Sequence, residues 1–210
     1  MAEINFYNID NIEFMKTKPD NYYDLAIVDP PYGILNNSHG GGKKEWGNYK
    51  EFKKAKNWDN EIPPKEYFKE LFRVSKSRII WGGNYFLDYL GSTRCFLSWD
   101  KMNGTNNMSD FELAWTNLDS SCRRFAMHHF SKGYEKKIHH TQKPVKLYRW
   151  ILEKFAKEND KILDTHGGSM TIARACDMEG YDLDICEIDK TYFDNGVNAF
   201  NEYKKQLTLF

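Results

Sequence analysis

The sequence predicts one doubly wound α/β domain, a mostly parallel sheet with one antiparallel strand. Short apolar or period-2 runs alternate with helical patterns along most of the chain, an order that wraps a parallel sheet on both faces. Two consecutive runs have no helix between them, so an antiparallel pair is expected there, closing one edge of the sheet. The length, 210 residues, suits one such domain with a full core and leaves little room for a second folded unit.

The first strand is expected over Ile4 to Tyr7. The second covers Leu25 to Val28, an apolar run of the kind that forms a buried parallel strand. A helix from Pro64 to Ser75 opens on Pro63-Pro64, where a fixed φ and a missing N–H are tolerated. Strands follow over Arg78 to Trp81, Cys95 to Trp99 and Phe111 to Trp115, the last two forming the antiparallel pair. The remainder reads as helix Pro144 to Lys157, strand Lys161 to Leu163, helix Ser169 to Glu179, strand Asp182 to Cys186 and helix Lys190 to Lys205.

Two stretches lack periodicity. Residues 34–58 contain Asn36-Asn37-Ser38 and Gly40-Gly41-Gly42 and read as a mobile basic loop; residues 117–139 are polar, basic and aromatic. The first carries Lys43, Lys44, Lys50, Lys53, Lys54 and Lys56 against Glu45 and Glu51. Residues 123–146 carry Arg123, Arg124, Lys132, Lys136, Lys137, Lys143 and Lys146 against Glu135. Formal net charge is zero, so the rest of the chain is acidic. Two basic segments on an acidic body can make a one-sided footprint for phosphates, although two solvated loops would share that composition.

No apolar stretch approaches a membrane span and the N-terminus lacks a signal-peptide pattern, which implies a soluble intracellular protein. Cys95, Cys122, Cys176 and Cys186 show no C-x-x-C spacing, so reduced thiols are expected, with neither disulfides nor zinc.

Asp29-Pro30-Pro31-Tyr32-Gly33 follows the second strand directly. An acid at the strand's carboxyl end, two prolines without N–H donors and an aromatic ring make a rigid polar ledge, suited to the amino group of a planar base. A proline turn with a rim tyrosine would look the same in sequence. Further on, Asp164-Thr165-His166-Gly167-Gly168-Ser169-Met170-Thr171 reads as strand end, small-residue turn and helix start, and Glu187 ends the next strand about twenty residues later. That spacing suits an adenosine-type ligand whose ribose hydroxyls meet the acid; without G-x-G-x-x-G, a dinucleotide is disfavoured. The strip His139-His140-Thr141-Gln142-Lys143-Pro144 leads into a helix N-terminus, where a carboxylate is favoured. Adjacent histidines (His128-His129, His139-His140) without Cys or carboxylate companions do not imply a metal.

Together these segments resemble the amino-group-specific DNA methyltransferases that use S-adenosylmethionine. Asp29-Pro30-Pro31-Tyr32 matches their (D/N/S)-P-P-(Y/F/W) catalytic motif; His139 to Pro144 resembles H-P-T-Q-K-P, with His140 for the first proline; and Asp164 to Thr171 resembles D-P-F-x-G-S-G-T. Trp81-Gly82-Gly83-Asn84-Tyr85-Phe86 and Asp110-Phe111-Glu112-Leu113-Ala114-Trp115 also look like segments of small phage or bacterial members. The order, catalytic motif before cofactor motifs, is the circularly permuted β-class arrangement on a methyltransferase-type Rossmann-like sheet. Thr165 and His166 depart from Pro-Phe, and Met170 from the second glycine; a side chain at Met170 fits if φ is negative, while close backbone approach becomes harder.

The resemblance implies transfer of a methyl group to N6 of a flipped-out adenine, Asp at position 29 favouring adenine N6 over cytosine N4. Asp29 and the Pro30 carbonyl would accept the amine hydrogens, and Tyr32 would stack on the base for about 1–3 kcal/mol. It assigns Asp164, Thr165, His166, Gly167, Gly168, Ser169, Thr171, Glu187, His139, Thr141, Lys143 and Asp29 to the cofactor. Lys43, Lys44, Arg123, Arg124, Lys136 and Lys137 would serve double-stranded DNA, with residues 117–139 as a short recognition segment. Gln206-Leu207-Thr208-Leu209-Phe210 resembles the pentapeptide that docks on bacterial sliding clamps. A monomer or homodimer in a bacterial cytoplasm, host or native, is expected. The alternatives are a cytosine N4 methyltransferase and a catalytically silent DNA-binding module of the same fold.

Overall fold

The computed structural model describes residues 2–34, 61–104, 109–128 and 142–207. Eight strands form one sheet in the order β1-β8-β7-β2-β3-β5-β4-β6. They are β1 (Ile4–Tyr7), β2 (Tyr23–Val28), β3 (Ser75–Trp81), β4 (Phe96–Asp100), β5 (Phe111–Thr116), β6 (Arg123–Ala126), β7 (Ile162–Asp164) and β8 (Leu183–Cys186). The helices are α1 (Asn11–Lys16), α2 (Lys65–Val74), α3 (Leu87–Leu90), α4 (Val145–Phe155), α5 (Thr171–Glu179) and α6 (Lys190–Leu207), with a 3-10 turn at Gly83–Tyr85.

Every expected strand and helix forms, with ends displaced by at most a few residues. Only β5 runs antiparallel, to both its neighbours β3 and β4. The edge is a correction: the β4–β5 pair does not close the sheet, because β6 adds outside β4 in parallel register, Leu97 opposite Arg123 through Asp100 opposite Ala126. Exposed on most of its length, β6 has no apolar run to announce it. Short α1 was also unannounced; Asp10 caps it, its carboxylate accepting from the N–H groups of Ile12 at 2.9 Å and Glu13 at 3.0 Å.

Alternation along β2 feeds two cores. Leu25 and Ile27 point into the layer built by α4, α5 and α6, where Ile151, Leu152, Ile172 and Phe200 pack. Ala26 and Val28 point to the opposite layer, against Phe14, Phe68 and Leu71 of α1 and α2. Burial on both faces explains why β2 reads as a continuous apolar run.

The connections set the site. From β2 the chain moves through α2 to β3 on one side, and from β7 through α5 to β8 on the other, while β2 and β7 are themselves neighbours. Crevices open at such reversals, at the carboxyl ends of the strands. Asp29 leaves β2 and Asp164 ends β7 at this point. No helix among the described residues is long and apolar enough to cross a membrane.

Candidate active site

Both oxygens of Asp29 are engaged. The Tyr32 hydroxyl donates to Oδ1 at 2.6 Å, and the Lys143 ammonium donates to Oδ2 at 2.5 Å. The Lys143 side chain is 1% exposed and has a second acceptor, Glu112 Oε2 of β5, at 3.2 Å. Glu112 Oε1 in turn receives Lys101 Nζ at 2.7 Å. Lys143 also stands 5.0 Å from the centre of the Trp81 ring. The result is an alternating row of charges, Lys101, Glu112, Lys143 and Asp29, drawn from β4–β5, the approach to α4 and the end of β2.

Burial pushes the Asp29 carboxyl above the usual carboxylate range, with the Lys143 ammonium opposing that rise. For Lys143, burial alone would lower the ammonium, but Asp29 and Glu112 outweigh it and hold the group above its ordinary value. Glu112 is likewise penalised by burial, yet Lys143 and Lys101 carry it below its ordinary value. Such a chain is stable only while each charge keeps its partner.

The Tyr32 ring is wedged. Tyr85 stacks on it with centroids 5.1 Å apart and planes at 16°. At Gly82, φ is +68° and a Cβ would sit 2.1 Å from the Tyr32 ring, so both backbone and contact demand glycine.

One strand away, the Gly167 N–H donates to the Cys186 carbonyl at 2.7 Å and the Gly168 N–H to Glu187 Oε2 at 2.8 Å. Glu187 Oε1 accepts the Asp189 N–H at 2.8 Å. The Ile188 N–H also acts on this carboxylate, so backbone donors hold Glu187 in place at the mouth of the turn. Asp164 Oδ1 accepts the His166 N–H at 3.0 Å, and burial pushes its carboxyl up to about 7.

His166 is neutral, burial pulling its ring down to about 3. Asn11 Nδ2 lies 3.0 Å from Nε2 and also donates to the Thr165 carbonyl at 3.3 Å, which fixes the amide so that Nε2 accepts. Nδ1 therefore carries the proton and donates to Thr165 Oγ1 at 2.9 Å. Thr165 Oγ1 is also 2.8 Å from the Tyr67 hydroxyl.

Met170 adopts φ +52°, ψ 29°. The condition of negative φ is not met: the residue keeps the left-handed geometry a glycine would have, and its 1% exposed side chain is housed against Gly196 of α6. A Cβ at Gly196 would meet Met170 Cγ at 2.6 Å.

One cleft is lined by Asp29, Pro31, Lys143, His166, Gly168 and Glu187, among others, so the ledge, the strip before α4 and the glycine turn converge. Ser169 also faces it, and its hydroxyl lies 2.8 Å from that of Thr171. Thr165 lines a smaller adjoining cavity with Asn11, and Pro30 is buried behind the ledge. Arg123 and Arg124 do not join the cleft. They sit on β6, four strands from β2 or about 19 Å across the sheet, with Arg124 3.5 Å from Asp100. Lys43, Lys44, Lys136, Lys137, His139 and Thr141 lie outside the described residues, as do the basic loop and the last three residues of the tail.

Sequence reasoning missed Glu112, Asn11 and Tyr148. Tyr148 of α4 lines the cleft, its phenol held well above its ordinary range by burial with Asp164 and Asp29 nearby. A carboxylate inside an otherwise apolar strand, Phe111-Glu112-Leu113-Ala114-Trp115, was the available signal for Glu112.

Fold and cleft together define the methyltransferase-type variant of the doubly wound sheet. Residues 99–198 match the N6_N4_Mtase family, described as DNA methylase. That stretch contains Glu112, Lys143, the glycine turn and Glu187; the ledge at Asp29 precedes it. No curated protein matches the chain. Among solved structures, the M1.HpyAVI complex with SAM superposes with a TM-score of 0.63 at 20% identity, over 94% of this chain and 99% of that one. PvuII DNA methyltransferase (cytosine-N4-specific) gives 0.62 at 14%, over 94% and 86%. The putative DNA modification methylase TTHA0409 from Thermus thermophilus, complexed with S-adenosyl-L-methionine, gives 0.60 at 13%, over 96% and 94%.

Proposed function

We propose that this chain is a DNA methyltransferase that uses S-adenosylmethionine and methylates N6 of an adenine extruded from the duplex. The observation that carries the reading is the position of Asp29: a partly buried carboxylate on the strand next to a glycine turn backed by an acid, at the reversal of strand order. The N6_N4_Mtase match over residues 99–198, described as DNA methylase, supports DNA methylation, at either N6 or N4.

The residues suit the cofactor. Glu187, oriented by backbone N–H groups and lining the cleft, stands where it can accept from a ribose hydroxyl. A Cβ at Gly167 would lie 3.1 Å from Ile185 Cγ1 and 3.2 Å from the Cys186 carbonyl, so glycine lets the turn lie close against β8 at the cleft. The neutral His166 ring, its accepting nitrogen already taken by Asn11, offers a flat face where the family's phenylalanine stands. When bound, the cofactor supplies a methyl group on a positively charged sulfur.

An exocyclic amine is a poor nucleophile because its lone pair is delocalised into the ring, so the protein acts by positioning and charge. Asp29 accepts one amine hydrogen and the Pro30 carbonyl the other, turning the lone pair toward the cleft. As positive charge grows on nitrogen, the Asp29 anion stabilises it. A base within the duplex cannot reach this cleft, hence extrusion, with Tyr32 and Tyr85 as the aromatic wall beside it. Lys43, Lys44, Lys136, Lys137, Arg123 and Arg124 supply phosphate contacts, and the motif order is that of the permuted β class.

A cytosine N4 methyltransferase is the second reading, favoured by the superposition on the cytosine-N4-specific PvuII enzyme. Nucleoside mass spectrometry of DNA incubated with the protein and S-adenosylmethionine separates them. N6-methyladenine is expected, N4-methylcytosine refutes the base, and neither product refutes the reaction.

A further inference from the structure

The row of charges behind Asp29 is longer than the proposed chemistry requires. Accepting an amine hydrogen and stabilising positive charge on nitrogen needs an anion. A buried ammonium 2.5 Å away works against both, since it occupies an acceptor oxygen and offsets the negative charge. Lys143 has a second acceptor, however. Glu112 Oε2 lies 3.2 Å from the same nitrogen, and Lys101 holds Glu112 by its other oxygen at 2.7 Å.

We infer that Glu112 is a positioning residue for the reaction: it shares the Lys143 ammonium with Asp29, so that Asp29 does not neutralise that cation alone and remains an effective acceptor. The inference rests on the reading of Asp29 given above.

The geometry distinguishes this role from an ordinary surface pair. Lys143 is 1% exposed, with its ammonium held between the two carboxylates. Without Glu112 its hydrogens would converge on Asp29 in a closed pair, the most neutral arrangement available to the carboxylate. Lys101, further out and over the Trp99 ring at 5.5 Å, keeps Glu112 from turning away. Among the described residues, the other ionisable groups acting on Asp29 or its partners are Tyr32 on the ledge, Asp164 at the end of β7, Tyr148 on α4 and Tyr67 on α2. All of them stay in place when Glu112 alone is changed.

The test is Glu112→Gln in the full chain, with methyl transfer to DNA followed across pH and cofactor binding measured by calorimetry. Loss of one negative neighbour makes Asp29 more acidic, so the acid limb of kcat moves to lower pH. Closer pairing with Lys143 lowers the plateau by about tenfold, the equivalent of one pK unit. Affinity for S-adenosylmethionine is unchanged. Glu112→Asp keeps the charge and is expected to retain the wild-type acid limb. In a Lys143→Met background, Glu112→Gln is expected to cost nothing further, because its route of action is gone.

An unchanged plateau, an acid limb that moves up, or an equal loss in both backgrounds would overturn the inference. If Glu112→Gln does not fold, Glu112→Asp decides: an acid limb displaced despite the retained charge counts against it. Wild-type protein that transfers no methyl group defeats the underlying reading. Wild-type transfer that Asp29→Ala abolishes and Glu112→Gln leaves untouched defeats this inference alone.

Discussion

Gly196→Ala should change sign with the residue at position 170. In the native chain an added Cβ at Gly196 would stand 2.6 Å from Met170 Cγ and 2.8 Å from Sδ, inside contact distance for a side chain buried to 1%. Overpacking of that kind costs about 1–3 kcal/mol. Alanine in a helix interior returns about 1 kcal/mol over glycine, leaving a net loss of about 0–2 kcal/mol. Met170→Gly removes a left-handed non-glycine residue, worth about 1–2 kcal/mol. It also deletes a buried side chain, at about 2–5 kcal/mol, so this variant is less stable by about 0–4 kcal/mol. In that background Gly196→Ala meets an open space and gains about 1 kcal/mol. Urea unfolding of the four proteins, followed by tryptophan fluorescence with m compared across the set, reads a coupling of about 1–3 kcal/mol. A coupling near zero, or stabilisation by Gly196→Ala in both backgrounds, would refute the packing described for the turn.

Two further outcomes follow from buried titrating groups. Asp164 is raised to about 7, so its folded form holds a proton that the unfolded chain has lost. Stability attributable to it therefore falls as pH rises from about 4 toward 7, and Asp164→Asn should gain more at pH 8 than at pH 5 in thermal melts; an equal gain at both would contradict this. His166 is lowered to about 3, so the unfolded chain takes up its proton first and stability is lost as pH falls below about 6.5. His166→Phe should narrow the fall in melting temperature between pH 7 and pH 5 while binding S-adenosylmethionine within a few-fold of the native chain, and a steeper fall or lost binding would count against the neutral-ring assignment.

What the sequence showed and what it hid divide along the range of the interactions. The ledge, the glycine turn and Glu187 could each be read locally, because a strand run followed by a turn residue is a short-range signal. Their meeting in one cleft follows from β2 lying beside β7, which only the pairing of distant strands decides. The same non-locality misplaced the antiparallel pair: nothing within Arg123–Ala126 says that it will hydrogen-bond to β4 and take the edge. How Met170 is accommodated was not legible, because the space for its side chain comes from Gly196, 26 residues further along. Lys143, read as part of the cofactor strip, lines the cleft, and its ammonium is also shared between Asp29 and Glu112. Such a row of charges cannot be inferred from any one segment.

The central claim is that Asp29 receives the amine that becomes methylated. The most direct measurement is transfer of a labelled methyl group from S-adenosylmethionine to duplex DNA by the native chain and by Asp29→Ala, with cofactor binding followed in parallel. Binding within a few-fold of native and transfer reduced by about a hundredfold or more is the predicted result. Undiminished transfer by Asp29→Ala would contradict the account.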